Sequence, residues 1–133
     1  MIVEQTSFFI LSYFSKTELL ELEWLEKTST MTPKNFQEQV RLENEVLLKY
    51  KPKKLLAKTL DMDYTISPDE QEKHNEIILP TFKTIGLEKL AIVVSKDLFT
   101  QVSISQIIDD DSTAEYQTQY FDDTTSAITW LEE

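Results

Sequence analysis

The sequence predicts one α/β domain, in which a mixed but mostly parallel sheet of about five strands is combined with about four helices in the order β-β-α-β-α-β-α-β-α. Three observations predict this fold class. Short apolar runs alternate with helical patterns, as the crossover connections between parallel strands require. The pairs Thr32-Pro33 and Ser67-Pro68 each place a capping hydroxyl and a proline at the start of a helical pattern. The 133 residues suffice for one domain with a sizeable core.

The first two predicted strands form a hairpin. Residues 8–14 are apolar on both faces, and residues 18–25 alternate between apolar and acidic side chains with the period of two that is typical of strands. Residues 15–17 provide a short turn between them. Because every later strand follows a helix, this hairpin is the part that makes the sheet mixed.

The first helix is predicted to begin at Thr32 and to end before Pro52. Its apolar residues fall within one arc at 100° per residue, which gives the helix a buried side. They are Phe36, Val40, Leu42, Val46, Leu47 and Tyr50. The four lysines among residues 49–54 indicate either an anion-binding patch or a positive helix end followed by a polar loop. The helix dipole favours the second interpretation.

A strand is predicted at residues 55–60, and a second helix runs from its cap at Ser67 to a glycine stop at Gly86. Pro80 lies inside this helix and removes one backbone hydrogen bond, so we expect it to kink or divide the helix. Residues 90–94 are continuously apolar, which is typical of a strand covered on both faces.

The remaining residues are predicted as helix, loop, strand and helix. Ser95 or Asp97 can cap a third helix. Its apolar residues are Leu98, Phe99, Val102 and Ile107. The aspartates at residues 109–111 indicate a solvated loop, and residues 115–121 form the last strand. Asp122 or Asp123 then caps a last helix, whose apolar side carries Ala127, Trp130 and Leu131.

The composition excludes several classes of function. A net charge of -11 opposes nucleic-acid binding, which requires lysine and arginine to neutralise phosphates. A single glycine leaves no loop of the kind that cradles nucleotide phosphates. Without cysteine there are no disulfides and no thiolate metal sites, so a cytoplasmic location is the default expectation. No apolar run approaches the length of a membrane span, so we expect no membrane insertion.

Several short motifs follow one another in this order of elements. They are residues 22–24, residues 52–56, residues 66–68, residues 87–94, and residues 120–123 with Ala127, Trp130 and Leu131. Together they resemble the SpoIIAA-like fold, which includes the STAS domains of anti-sigma-factor antagonists and is akin to the lipid-binding CRAL-TRIO domains. The resemblance covers nearly the whole chain and implies a small, single-domain STAS-like member of that group.

The resemblance also implies a candidate site at the start of the second helix. In phosphorylatable STAS antagonists, a serine there follows an aspartate and precedes Ser-Gly. Ser67 stands in the corresponding place, although Ile66 precedes it and Pro-Asp follows it. Ser67 is therefore a candidate phospho-acceptor or partner contact, while an ordinary N-cap explains it without any function. The adjoining candidate contact loop consists of Asp61, Asp63 and Tyr64.

Other polar residues suggest a metal site or a catalytic base. The predicted positions of Asp61, Asp63, Asp122 and Asp123 are the carboxyl ends of two strands. Ligand sites of open α/β sheets lie along that edge, and carboxylates there could hold Mg²⁺. Helix caps and turns explain the same aspartates. His74, the only histidine, shares a helix side with apolar residues, so we interpret it as a packed residue.

We therefore predict a non-enzymatic binding or regulatory module that acts on another protein through Ser67 and the adjoining loop. No cofactor, catalytic residue or metal ligand is predicted, and a homodimer is compatible with the sequence. Two alternatives stay open: a carrier of a small molecule or lipid, and a Mg²⁺-dependent carboxylate enzyme. A carrier requires an apolar pocket, under the second helix at Pro80, and an enzyme requires converging carboxylates. A closed core favours the module.

Overall fold

Six strands form one mixed sheet in the computed structural model, which describes residues 1–96, 98 and 116–133. They are β1 (Ile2–Gln5), β2 (Phe9–Phe14), β3 (Leu19–Trp24), β4 (Lys54–Lys58), β5 (Lys89–Val93) and β6 (Gln117–Phe121). Their order in the sheet follows their order in the chain. The pairs β1–β2 and β2–β3 are antiparallel, and β3 to β6 are parallel to one another.

Three α-helices lie in the described residues, and a short 3-10 helix (Glu26–Thr30) precedes the first. They are α1 (Pro33–Tyr50), α2 (Pro68–Ile85) and α3 (Thr124–Glu132). The side chains of Thr32, Ser67 and Asp123 each accept a hydrogen bond from the backbone N–H three residues further on. Gly86 follows α2 with φ of 69°, in the left-handed region that glycine adopts readily. The predicted starts and the glycine stop are therefore confirmed.

The α/β class and the mixed sheet are confirmed, but the number and order of elements differ from the prediction. The described residues contain a sixth strand, β1, that we did not predict. Its four residues mix apolar and polar side chains, and antiparallel pairing with β2 defines it. The predicted third helix accounts for the difference in helix number. Residues 96 and 98 are helical, and Ser95 Oγ accepts a hydrogen bond of 3.3 Å from the N–H of Leu98, as a cap would. The remaining residues of that predicted helix lie outside the described residues. The aspartates at residues 109–111 lie outside them as well.

Pro80 does not divide α2, which is one helix from Pro68 to Ile85. The proline removes the hydrogen bond to the carbonyl of Glu76. Both residues are exposed, so water can hydrate that carbonyl. Of the two predicted effects, division of the helix was therefore wrong, because the cost of a proline is smaller where the freed backbone group faces solvent, and the kink stays a prediction.

The helices cover the two faces of the sheet unequally. The α1/α2 face joins both long helices to side chains of β2, β3 and β4 in one core cluster, which includes Leu11, Leu20, Leu55, Phe36, Leu47 and Ile78. On the α3 face the short C-terminal helix packs on β4, β5 and β6. That second cluster consists of Leu19, Leu56, Ala91, Val93, Phe121, Ala127 and Leu131.

Candidate functional site

A cavity of about 540 Å³ lies on the α1/α2 face, between the two helices and strands β3 to β6. Successive side chains of a strand point to opposite faces, so alternate residues of β4 and β5 line it. These are Leu55, Ala57, Leu90 and Ile92. Helix α2 contributes Leu79 and Phe82 to the lining of the cavity. Among the described elements, α2 packs closely against α1 and approaches the strands less closely.

The cavity reaches the surface beside α2. Leu79 and Leu98 both line it, and they are 43% and 44% exposed. Two apolar side chains of the cavity wall are therefore also exposed at the surface, and one of them directly precedes Pro80. That is the region in which the sequence analysis placed the pocket of a carrier.

Glu43 also lines the cavity. This residue is 3% exposed and lies on α1 at helical spacing from the buried residues Phe36, Val40 and Leu47. Burial raises the pKa of Glu43 from 4.5 to about 7. Within the described part of the chain, no hydrogen bond or ion pair reaches this carboxyl group.

Other buried polar side chains in the described residues have partners. Thr28 donates to the carbonyl of Leu25 at 2.8 Å, Gln39 accepts from the hydroxyl of Thr6 at 2.7 Å, and Thr81 donates to the side chain of Asn44. Buried polar groups in native proteins are normally satisfied in this way. Glu43 departs from the pattern, which makes it a candidate for contact with a ligand.

Several polar groups that line the cavity besides Glu43 bond within the protein. Thr59 donates to the carbonyl of Val93 at 2.9 Å. The side chains of Gln71 and His74 both meet Oδ1 of Asn75, at 3.2 Å and 3.0 Å. Among the described lining residues there is no lysine or arginine. The wall thus offers a buried acid without a basic partner.

The candidate Ser67 lies at one end of α2 in a reciprocal capping arrangement. Its hydroxyl accepts from the N–H of Glu70 at 3.2 Å, and the Glu70 carboxylate accepts from the N–H of Ser67 at 3.2 Å. The hydroxyl of Tyr64 donates to the same carboxylate. That hydrogen bond is the main cause of the lowered pKa of Glu70, while burial and the same bond raise the pKa of Tyr64 to about 12. The structure therefore gives Ser67 and Tyr64 structural contacts.

The candidate loop residues Asp61 and Asp63 are exposed, and the backbone beneath them is anchored. The N–H of Asp63 donates to the buried hydroxyl of Thr28 at 2.7 Å. Met62 and Ile66 of the same loop line the cavity. The loop therefore presents two carboxylates to solvent from a backbone that also borders the interior space.

The aspartates predicted to share a metal do not come together. Asp61 and Asp63 follow β4, whereas Asp122 and Asp123 follow β6, and β5 lies between these strands. Strands are about 4.8 Å apart, so the two loops are separated by about 10 Å at the sheet edge. Asp123 accepts from the N–H of Ser126 at 2.7 Å, which lowers its pKa. In the described ranges, no three acidic or histidine side chains are grouped so that they could hold a metal ion.

His74 is half-buried, as predicted for a packed residue, and it also lines the cavity. Of the lysines at residues 49–54, Lys53 donates to the carbonyl of Ile85 at 3.1 Å, at the end of α2. This lysine therefore contacts the end of α2, whereas the sequence predicted a positive end of α1 followed by a polar loop. Sequence reasoning missed Glu43, although its spacing from Val40 and Leu47 already placed it within the apolar arc of α1.

Comparison of the chain with protein-family models, curated proteins and solved structures gives no significant match. The resemblance to SpoIIAA-like proteins therefore stays a prediction from the sequence. Within residues 1–96, 98 and 116–133, no helix is long and apolar enough to cross a membrane.

Proposed function

We propose that this protein binds a small, mainly apolar organic molecule in the cavity beneath α2. The observation that carries the proposal is the apolar cavity of about 540 Å³, which falls within the range of roughly 300–1,000 Å³ typical of ligand sites. It reaches the surface at Leu79 and Leu98, which gives a ligand a way in. This is the carrier function that the sequence left open as an alternative.

The size of the cavity argues that it is occupied in solution. A space of this size that is open to the surface is filled by water or by another molecule. Water can occupy the space, but apolar walls such as Leu90 and Ile92 offer it few hydrogen bonds. A ligand with an apolar body displaces that water favourably.

Titration with the neutral fluorescent probe N-phenyl-1-naphthylamine tests the proposal. We expect a saturable rise in fluorescence with the native protein. The variant Ala57→Leu adds three carbons to the cavity wall. Overpacking of this kind should lower the affinity for the probe about tenfold. Ser12→Leu is the matched control, because Ser12 lies on β2 next to the inward-facing Leu11 and points to the opposite face.

Two results would contradict the proposal. One is a native protein that gives no saturable signal. The other is an Ala57→Leu variant that is folded, as judged by its thermal transition, and binds the probe as tightly as Ser12→Leu does. Either result would leave the interior space without a role in binding.

A second candidate is the STAS-like protein-contact module, with the SpoIIAA-like class that it implies. The run of parallel strands β3 to β6 in chain order supports the class, and the exposed Asp61 and Asp63 on an anchored loop support the contact surface. A preorganised acidic loop can bind a basic surface of a partner without an ordering cost. Cross-linking in cells tests it. The double variant Asp61→Lys, Asp63→Lys should lose a partner that Glu26→Lys, an exposed control, retains.

A further inference from the structure

Glu43 gives the cavity a chemical preference that its apolar walls do not have. The carboxyl group is 3% exposed and without a partner in the described residues, and no lysine or arginine of that part of the chain lines the same space. A buried ionisable group without a counter-charge is costly to a folded protein. Its presence in a cavity that reaches the surface is explained if the counter-charge arrives with the ligand.

We propose that the ligand is an organic cation, an apolar amine whose protonated nitrogen binds the carboxylate of Glu43. The inference rests on the proposed binding function and names the class of molecule bound. The ammonium group would lie at Glu43 on α1, and the hydrocarbon part would lie against Leu90 and Ile92 of β5. The ligand class is thus an alkylamine or arylalkylamine, which is distinct from a fatty acid or a neutral lipid.

Charge separates this class from the other apolar ligands. A carboxylate ligand would meet Glu43 without any basic residue among the described lining side chains, so its own charge would be unpaired. A neutral alcohol can share one hydrogen bond with the carboxyl group. An ammonium forms a charge-assisted bond of about twice that strength in a space of low dielectric. The net charge of -11 also raises the local concentration of cations around the protein.

Binding of an ammonium should be linked to the release of a proton. Burial raises the pKa of Glu43 to about 7, and an adjacent cation favours its ionised form. Below about pH 7 the carboxyl proton passes to the buffer on binding, and affinity falls by about tenfold per pH unit. Among the described lining residues, the other titratable side chains are His74 on α2, Tyr116 just before β6 and Tyr120 on β6. In the described residues, β3, β4 and β5 contribute none.

Calorimetric titration with three ligands of equal chain length tests the inference: decylammonium chloride, 1-decanol and sodium decanoate, each below its micelle concentration and at physiological ionic strength. At about pH 8 we expect decylammonium to bind about tenfold more tightly than decanol. Decanoate should bind more weakly than both. Glu43→Gln should abolish the preference for the ammonium while decanol still binds.

Two variants separate Glu43 from general electrostatics. Glu45→Gln removes the same charge from an exposed position of α1 and should leave the preference intact. His74→Gln removes the histidine that lines the cavity, and in this variant the affinity for decylammonium should still fall at acidic pH. Proton release, measured in buffers of different ionisation enthalpy, should disappear in Glu43→Gln alone.

The possible outcomes distinguish this inference from the proposed function. If decanol binds and Ala57→Leu weakens it, but decylammonium has no advantage, the cavity binds ligands and the cationic class is wrong. An equal loss of decylammonium affinity in Glu43→Gln and Glu45→Gln would also overturn the inference, because surface charge would then account for it. If none of the three ligands binds, the binding function itself fails.

Discussion

The two faces of the sheet are filled in different ways, although the same strands supply both. On the α3 face, Leu56, Ala91, Val93 and Leu131 are each at most 1% exposed. On the α1/α2 face, alternate residues of the same strands border an open cavity. Ala127 of α3 has no bulky side chain, so the short helix approaches β5 closely, whereas α2 approaches α1 instead. Both faces therefore contain a packed cluster, and the α1/α2 face also contains the interior space that we propose binds a ligand.

The largest effect should come from truncating matched leucines on the two faces. Leu56 of β4 is fully buried under α3, and Leu90 of the neighbouring β5 lines the cavity. Leu56→Ala leaves a void in a packed cluster and should cost about 4 kcal/mol of unfolding free energy. Leu90→Ala enlarges an existing space that water already reaches, so we expect a cost of about 1 kcal/mol. Urea denaturation of both variants measures the difference.

Equal costs for the two truncations would contradict the comparison, because the cavity would then be as closely packed as the α3 face. Leu90→Ala should in addition weaken binding of the neutral probe, which Leu56→Ala should not do while the protein is folded. The two measurements together assign stability to one face and binding to the other.

The next effect concerns Glu43, the buried acidic residue on the α1/α2 face. The pKa of Glu43 is raised from 4.5 to about 7 by burial, so the folded protein holds one more proton than the unfolded chain between these values. The contribution of Glu43 to the free energy of unfolding is therefore complete below about pH 4.5, and it is lost as the pH rises through about 7. Glu43→Gln should therefore be more stable than the native protein by about 3 kcal/mol at pH 8.

The gain from Glu43→Gln should shrink towards zero near pH 4.5, where the native carboxyl group is protonated as well. Glu45→Gln, at an exposed position on the same helix, should show no such dependence. Unfolding free energies at a series of pH values measure both. A gain in Glu43→Gln that does not change with pH would show that the carboxyl group has the same pKa in the folded and unfolded states, so that burial does not raise it.

Local signals in the sequence predicted much of this molecule, because helix caps act over three or four residues. The hydroxyl at Ser67, the carboxylate at Asp123 and the glycine at Gly86 each specify a helix end through nearby backbone groups. The four-residue strand β1 escaped prediction since its pairing with β2, and not its own pattern, defines it. The SpoIIAA-like class and the contact function at Ser67 stay predictions.

The site depends on distances between elements, which a single sequence does not express. The cavity results from how far α2 stands from the strands, and apolar residues such as Leu90 look the same whether they meet a helix or a void. The predicted carboxylate site failed for a related reason. The sequence correctly placed Asp61 and Asp122 after strands, but β5 separates those strands in the sheet. The spacing of Glu43 from Val40 and Leu47 indicated a position on the buried side of α1, but Glu43 was not predicted as a site residue.

The smallest effects should be equal on the two faces, because they concern helix ends and not packing. Ser67 caps α2 and Asp123 caps α3, each through one hydrogen bond to a backbone N–H. Substitution of either by alanine should cost about 1 kcal/mol. Ser67→Asp should recover most of that loss, since aspartate is also a good cap, although Asp69 and Glu70 repel it.

Probe binding then separates the two equal losses. Fraying of the first turn of α2 disturbs Gln71 and His74, which line the cavity, whereas α3 has no residue there in the described part of the chain. At a temperature where both variants are folded, Ser67→Ala should therefore lower the affinity for the neutral probe about threefold. Asp123→Ala should leave that affinity unchanged. If Asp123→Ala weakened the probe equally, the two faces would be coupled through the sheet, and the division between a stabilising face and a binding face would not hold.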